Sequence, residues 1–253
     1  MLTIRDASGD VVRRVDGKAS KGFHRVAWDL HWPSARPTTL SKSKRNPWDS
    51  DPIGPLAVAG TYSVSLSQVV DGVTTELAGP QEFKVVDLGL NFFKTDDPAA
   101  TLEFQQKTAR LERAIRGAAK WVAEAEDRLA LTRKALLDTP GADTAMLAES
   151  QRMQTELNDI KVELSGDRTR GSRNVFTPPS ISQRVNRIVG AQWESTAAPT
   201  GTNLQDYQWA AEAFAKELGR LQTLSKDLDA FEAKLESAGA PWTPGRLPTW
   251  SSE

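Results

Sequence analysis

The chain contains no cysteine, only two histidines and three methionines, and it has no surplus of charge of either sign. Lacking cysteine, it has no disulfide, thiolate metal site or cysteine nucleophile, but its compartment stays open because secreted proteins can also do without the residue. Most imidazole chemistry has to run through His24 and His31 or not exist. Thirty-two Lys and Arg against thirty-three Asp and Glu give a net charge of −1, which removes the electrostatic footprint of a general nucleic-acid binder. No stretch approaches the roughly 20 apolar residues of a bilayer crossing, and the N-terminus lacks the basic start and apolar centre of a signal peptide. Membrane insertion is therefore not expected. The chain has no Gly-rich phosphate loop, no G-x-S-x-G turn and no H-E-x-x-H pair, so no cofactor, metal or catalytic set is expected from motifs.

What is present has two periods. The length of 253 residues favours two domains, each able to bury its own core. From Leu2 to about Val86 apolar residues alternate between turn signals, as in an all-β domain. "LTIRD" and "DVVRRV" flank a short hairpin, and "TYSVSLSQVV" and "VTTEL" flank Asp71-Gly72, a pair suited to the two positive-φ positions of a type I′ turn. With "GFHRVAWDLHW" and "PQEFKVV", five or six strands are expected, forming a small immunoglobulin-like antiparallel β-sandwich over residues 1–88. A linker spans 89–97.

Beyond it the apolar period becomes about 3.5. Phe104, Thr108, Leu111, Ile115, Ala118, Val122, Ala125, Leu129, Thr132 and Leu136 predict one seam of a long helix, capped by Asp97, begun by Pro98 and stopped by Thr139-Pro140-Gly141. Roughly 40 residues at about 1.5 Å each make a helix too long to stand without partners. A second helix is predicted over about 143–164, and a third after a Ser180/Gln183 capping box. A fourth, about 203–237, presents Leu204, Tyr207, Ala211, Phe214, Leu218 and Leu221, then shifts phase to Leu224, Leu228, Phe231 and Leu235. The expected architecture is thus α+β and multidomain: the sandwich, then a long antiparallel helical bundle over 98–240, then a Pro-rich tail over 241–253 lying along a surface.

Candidate site residues fall in three places. His24 and His31 are seven apart with Asp29 between them, and a regular strand sends them to opposite faces, with Trp28 in the core. With no third ligand nearby, a strand is the better reading than a metal or catalytic set. The loop "GDRTRGSRN" gathers Arg168, Arg170 and Arg173, which either clamp a carboxylate or phosphate or pair with helix carboxylates in an ordinary connector. The long polar loop after His31 holds Trp32 and Trp48, which either stack on a glycan or anchor a protein, or pack back onto the helical half; Trp242 and Trp250 are further candidates for a sugar. Glu124, Glu126 and Asp127 fall outside the seam and read as a solvated face.

"IRDASGDVVRRVDGKASKGFHRVAWDLHW" followed by "GPLAVAGTYSVSLS" resembles the immunoglobulin-like module of the flagellar hook-capping protein and of many bacterial β-propeller proteins. "GDRTRGSRN", "PPSISQRVNRIVGAQW", "APTGTN" and "GAPWTPGRLPTW" resemble the C-terminal region of bacterial sortilin-like proteins with BNR repeats, often described as glycosyl hydrolases. The resemblance implies a scaffold and interaction module, secreted or periplasmic, following a propeller that would carry any hydrolase or ligand chemistry. No S-x-D-x-G-x-T-W repeat of that propeller occurs here. Its partners are then the propeller or another protein, with a glycan as the alternative and a dimer as a further expectation. The resembling modules begin with an apolar strand ahead of the one at Leu2, so a longer natural chain and a bared sheet edge are also expected.

Overall fold

The computed structural model describes residues 1–40, 51–89 and 93–251. It is an α+β protein with one four-stranded antiparallel sheet, ordered β2-β1-β3-β4, and five helices among the described residues. The strands are β1 (Leu2–Arg5), β2 (Val11–Val15), β3 (Gly60–Val70) and β4 (Val73–Val85), and the helices are α1 (Pro98–Leu137), α2 (Ala145–Ser165), α3 (Arg168–Ser172), α4 (Ile181–Gln192) and α5 (Gly201–Ser237). The chain divides into two compact units, one of Met1–Arg110 with Ile188–Asn203, the other of Leu111–Arg187 with Leu204–Glu253. The division runs through helices rather than along the 89–97 linker. Three bonds explain this: Leu56 N–H to Trp193 O, Thr95 N–H to Thr196 O and the Gln105 amide to Gln192 O tie the segment after α4 to the sheet's own unit.

Both expected hairpins form. Asp71 and Gly72 have φ of 50° and 79°, the two left-handed residues that a type I′ turn requires. Between β1 and β2 the Asp6 carboxylate accepts from the N–H groups of Ser8 and Asp10, closing an Asx turn. "VTTEL" and "PQEFKVV", expected as separate strands, are one 13-residue strand with register breaks opposite Val64–Ser67. Leu77, Gly79 and Pro80 have no partner in β3 there. Because β4 is an edge strand, the missing N–H of Pro80 removes no bond from the sheet interior.

The segment read as a strand around the histidines is a correction. Residues 23–29 are not in a strand, and only His31 bridges, antiparallel, to Leu56. The cause is local: the Asp29 carboxylate accepts from the His31 N–H at 3.0 Å, and Leu30 takes φ of 60°, so the backbone curls where an even pleat was expected. Beyond the curl, Ala57 N–H to Leu30 O, Trp32 N–H to Pro55 O and Gly54 N–H to Trp32 O join two extended segments. They lie over the apolar face of the sheet, where Ile4, Val12, Ala57 and Tyr62 are buried and Trp28, Trp32 and Phe83 pack against them. Trp28 meets Tyr62 and Phe83 edge to face, with centroids at 5.5 and 6.3 Å, so it fills the core as expected.

In the second unit the helices are joined by ion pairs. Along α2 and α5, Glu149 meets Lys234, Arg152 meets Asp227 and Glu156 meets Arg220, so these two helices run in opposite directions. Arg128 of α1 holds Glu232 and Asp229 of α5, and Lys161 of α2 holds Glu126 of α1. The Arg220 guanidinium holds the Glu156 carboxyl below its ordinary range. The capping box at α4 forms as expected, Ser180 N–H to Gln183 Oε1 and Gln183 N–H to Ser180 Oγ.

The seam of α5 differs from the expected one. Its buried residues are Asn203, Asp206, Ala210, Phe214, Glu217, Leu221, Leu224, Leu228, Phe231 and Leu235, with Glu232 beside them; the steps are threes and fours, with one repeated four at Asp206, Ala210 and Phe214 and no phase shift between Leu221 and Leu224. Leu204 and Leu218 are exposed. On α1, likewise, Gln105 and Glu112 are buried where Phe104 and Leu111 were expected to be. The polar residues take the inner positions because each finds an internal partner there: Gln192 O for Gln105, Arg116 for Glu112, Arg184 and Arg187 for Asp206, Arg220 for Glu217.

The tail after α5 docks on the second unit. Arg246 is 7% exposed, pairs with Glu236 at 3.2 Å and donates to the carbonyls of Pro241 and Ala240. The Thr249 N–H and hydroxyl both reach Glu236 Oε1. Gly245 has φ of 100°, and a Cβ there would lie 2.9 Å from Arg128 Nε and from Glu232 Oε2. Gly245→Val is expected to release the tail without unfolding the helices, because its cost cannot exceed the free energy of docking. Trypsin cleavage after Arg246 should become many-fold faster at unchanged helical circular dichroism. Acid should act in the same direction: the Thr249 N–H, then its hydroxyl and the charge of Arg246, hold the Glu236 carboxyl below its ordinary value. Its contribution is therefore complete above about pH 4.3, the ordinary glutamate value, and is lost as pH falls through the lowered one. The indole N–H of Trp242, which donates to Arg246 O, should report this as an NMR shift that Glu236→Gln abolishes.

Candidate functional site

Leu30, residues 56–59 and 85–88 from the sheet side, with Lys94, Thr95 and the first turns of α1, line a half-open cavity of about 330 Å³ within the first unit. Its walls follow from the sequence: "PLAVA" runs extended beside Leu30, and Val85 ends β4, so aliphatic side chains of both segments line the same space. Pro98, Thr101 and Gln105 come from α1, and Ser195 and Thr196 from the segment after α4. The Asp97 carboxylate caps α1 by accepting from the Ala100 N–H at 2.9 Å. Thr101, 5% exposed, donates to Asp97 O and Thr95 Oγ1. Gln105, 2% exposed, donates through Nε2 to Gln192 O at 2.8 Å.

Two liners are charged, and they neutralise one another. Lys94 Nζ lies 3.1 Å from Asp87 Oδ2, both side chains well exposed. The Gly89 N–H, more than Lys94, holds the Asp87 carboxyl below its ordinary value. A cavity of this kind can hold an uncharged molecule; among the described residues no pair of carboxylates faces across it.

The residues singled out from sequence lie elsewhere. His24 is exposed and its Nε2 donates to Ser20 O, while the His31 Nδ1 donates to Asp29 O and leaves Nε2 buried without a partner among the described residues. Asp29 pairs with Arg13 at 3.8 Å. No group of three His, Cys, Asp or Glu side chains able to hold a metal occurs among the described residues. Trp32 is half-buried against the core of its own sheet, its backbone pairing with residues 54–55. Trp48 lies outside the described residues.

Arg168 and Arg170 lie on α3, a helix unforeseen from the sequence, which Asp167 caps by accepting from the N–H groups of Thr169 and Arg170, and Arg173 ends it. All three arginines are exposed, and none makes an ion pair among the described residues. At about 100° per residue Arg170 and Arg173 share a face, and Arg168 points away from both. Trp242 and Trp250 are exposed on the tail. Gln105, the buried polar residue of the cavity, was missed: it sits one position after Phe104, and the apolar seam gave no weight to a glutamine.

Comparison with models of protein families, with curated protein sequences and with solved structures finds no match to this chain. No described helix is long and apolar enough to cross a membrane.

Proposed function

We propose that the chain is a non-catalytic scaffold and interaction module, the C-terminal part of a larger exported protein with a propeller ahead of it. In this reading the sheet unit is an immunoglobulin-like sandwich, the segments 30–32 and 54–57 being remnants of its second sheet, and the helices form an antiparallel bundle. The order of the ion pairs along α2 and α5 supports the bundle. The observation that carries the functional reading is the fate of buried charge. Glu112, Asp206, Glu217 and Glu232 are the buried carboxylates among the described residues, and each is held by an arginine. A carboxylate whose charge is answered inside the fold in this way serves cohesion. An antibody raised against this chain, used on fractions of the source cells, tests the proposal. A band far larger than 27.7 kDa in the exported fraction is expected, and a 27.7 kDa band confined to the cell interior overturns it.

A second reading, a carbohydrate-recognition module, is favoured by the exposure of Trp242 and Trp250, 60% and 87%. Tryptophan fluorescence against a glycan panel decides it: a saturable shift lost in Trp250→Ala supports it, and a flat response removes it.

A further inference from the structure

We propose that the cavity of the first unit binds a small uncharged aliphatic amphiphile, with its chain against the leucine and valine walls and a hydroxyl or amide N–H donated to Gln105. This goes beyond the scaffold reading and does not depend on it. The volume of about 330 Å³ is that of a small ligand site. The walls are aliphatic, and no aromatic ring lines the cavity among the described residues. Among the described liners a sugar, which is held by stacking on rings, finds no ring to stack on. A charged head is not called for either, since Lys94 is already answered by Asp87.

Gln105 supplies the specificity. Its Nε2 is anchored on Gln192 O, with Ser195 O at 3.5 Å on the same nitrogen, which fixes the amide plane. Its Oε1 accepts no hydrogen bond among the described residues, yet the side chain is 2% exposed and lines the cavity. A carbonyl oxygen that lines the cavity and carries no hydrogen bond gains from a partner that brings a donor. A ligand with a donating head on a methylene chain meets both the walls and this oxygen.

The test uses the full chain and isothermal titration with 1-octanol and with methyl octyl ether, which has a similar chain and cannot donate. Saturable binding of 1-octanol is expected, with the ether roughly tenfold weaker. Ala59 lines the cavity but is itself exposed, so Ala59→Phe fills space without entering the core. It should abolish binding at unchanged circular dichroism. No saturable binding, equal affinity for alcohol and ether, or tighter binding of methyl glucoside than of 1-octanol overturns the proposal. The comparison of the two probes stands even where Ala59→Phe fails to fold.

Discussion

Asp206→Ala is expected to destabilise the second unit by about 3–5 kcal/mol, the range for removing one partner of a buried ion pair. The Asp206 side chain is 2% exposed, and its two oxygens take one bond each, from Arg184 Nη1 at 2.7 Å and Arg187 Nη1 at 2.8 Å. The two arginines do not suffer equally. Arg187, half exposed, can turn its charge to water. Arg184 is 19% exposed and lies 4.5 Å from the Trp209 ring centroid, so its charge stays where it is and goes unanswered. The double variant Arg184→Met with Asp206→Leu should recover much of the loss, because the cost lies in the orphaned charge rather than in the missing attraction. Asp227→Asn, which removes the exposed pair with Arg152, should change stability by under about 0.5 kcal/mol. Urea unfolding of the three variants checks all three statements, and an Asp206→Ala loss no larger than that of Asp227→Asn would refute the first.

Gly54→Ala is expected to loosen the first unit by about 1–3 kcal/mol or more. A Cβ at Gly54 would sit 2.6 Å from Trp32 O and closer still to Pro33 O. Both are backbone atoms, so no rotamer change relieves the clash. Relief comes only by parting residues 30–32 from 54–57, which breaks Gly54 N–H to Trp32 O and Trp32 N–H to Pro55 O and draws Trp32 and Ala57 off the sheet. Hydrogen exchange at the Trp32 and Ala57 amides should rise together. Gly219→Ala is the contrast: it lies inside α5 with nothing within 4 Å of its added methyl, and the change should stabilise the helix by roughly 0.5–1 kcal/mol.

How much of this was legible depended on which forces act locally. Turn residues declare themselves: Asp71-Gly72, Asp97 and the Ser180–Gln183 pair all do what their types demand. The helix ends fell within a residue or two of expectation for the same reason. Seams were harder to read. Counting only apolar residues puts Leu204 and Leu218 inside α5 and leaves Asp206 and Glu217 in water, whereas the arginines that reach those carboxylates invert the assignment. An apparent change of phase was therefore an alignment of leucines with the wrong face. The strand expected at the histidines failed because one side-chain bond, Asp29 to the His31 N–H, outweighed an alternating pattern. The cavity was illegible altogether: it needs residues near 30, 57, 86, 101 and 195 at once, and no local pattern links them.

The break at Gly79-Pro80 also bears on how copies of this chain meet one another. A naked border strand of 13 residues offers a template for runaway stacking, but here each uninterrupted stretch is short: 73–78, which includes the charge of Glu76, and 81–85. Fibril seeds need about six or seven consecutive residues of low charge without proline. The outermost strand thus carries its own gatekeeper, and crowding in the cell should not turn it into a nucleus for polymerisation.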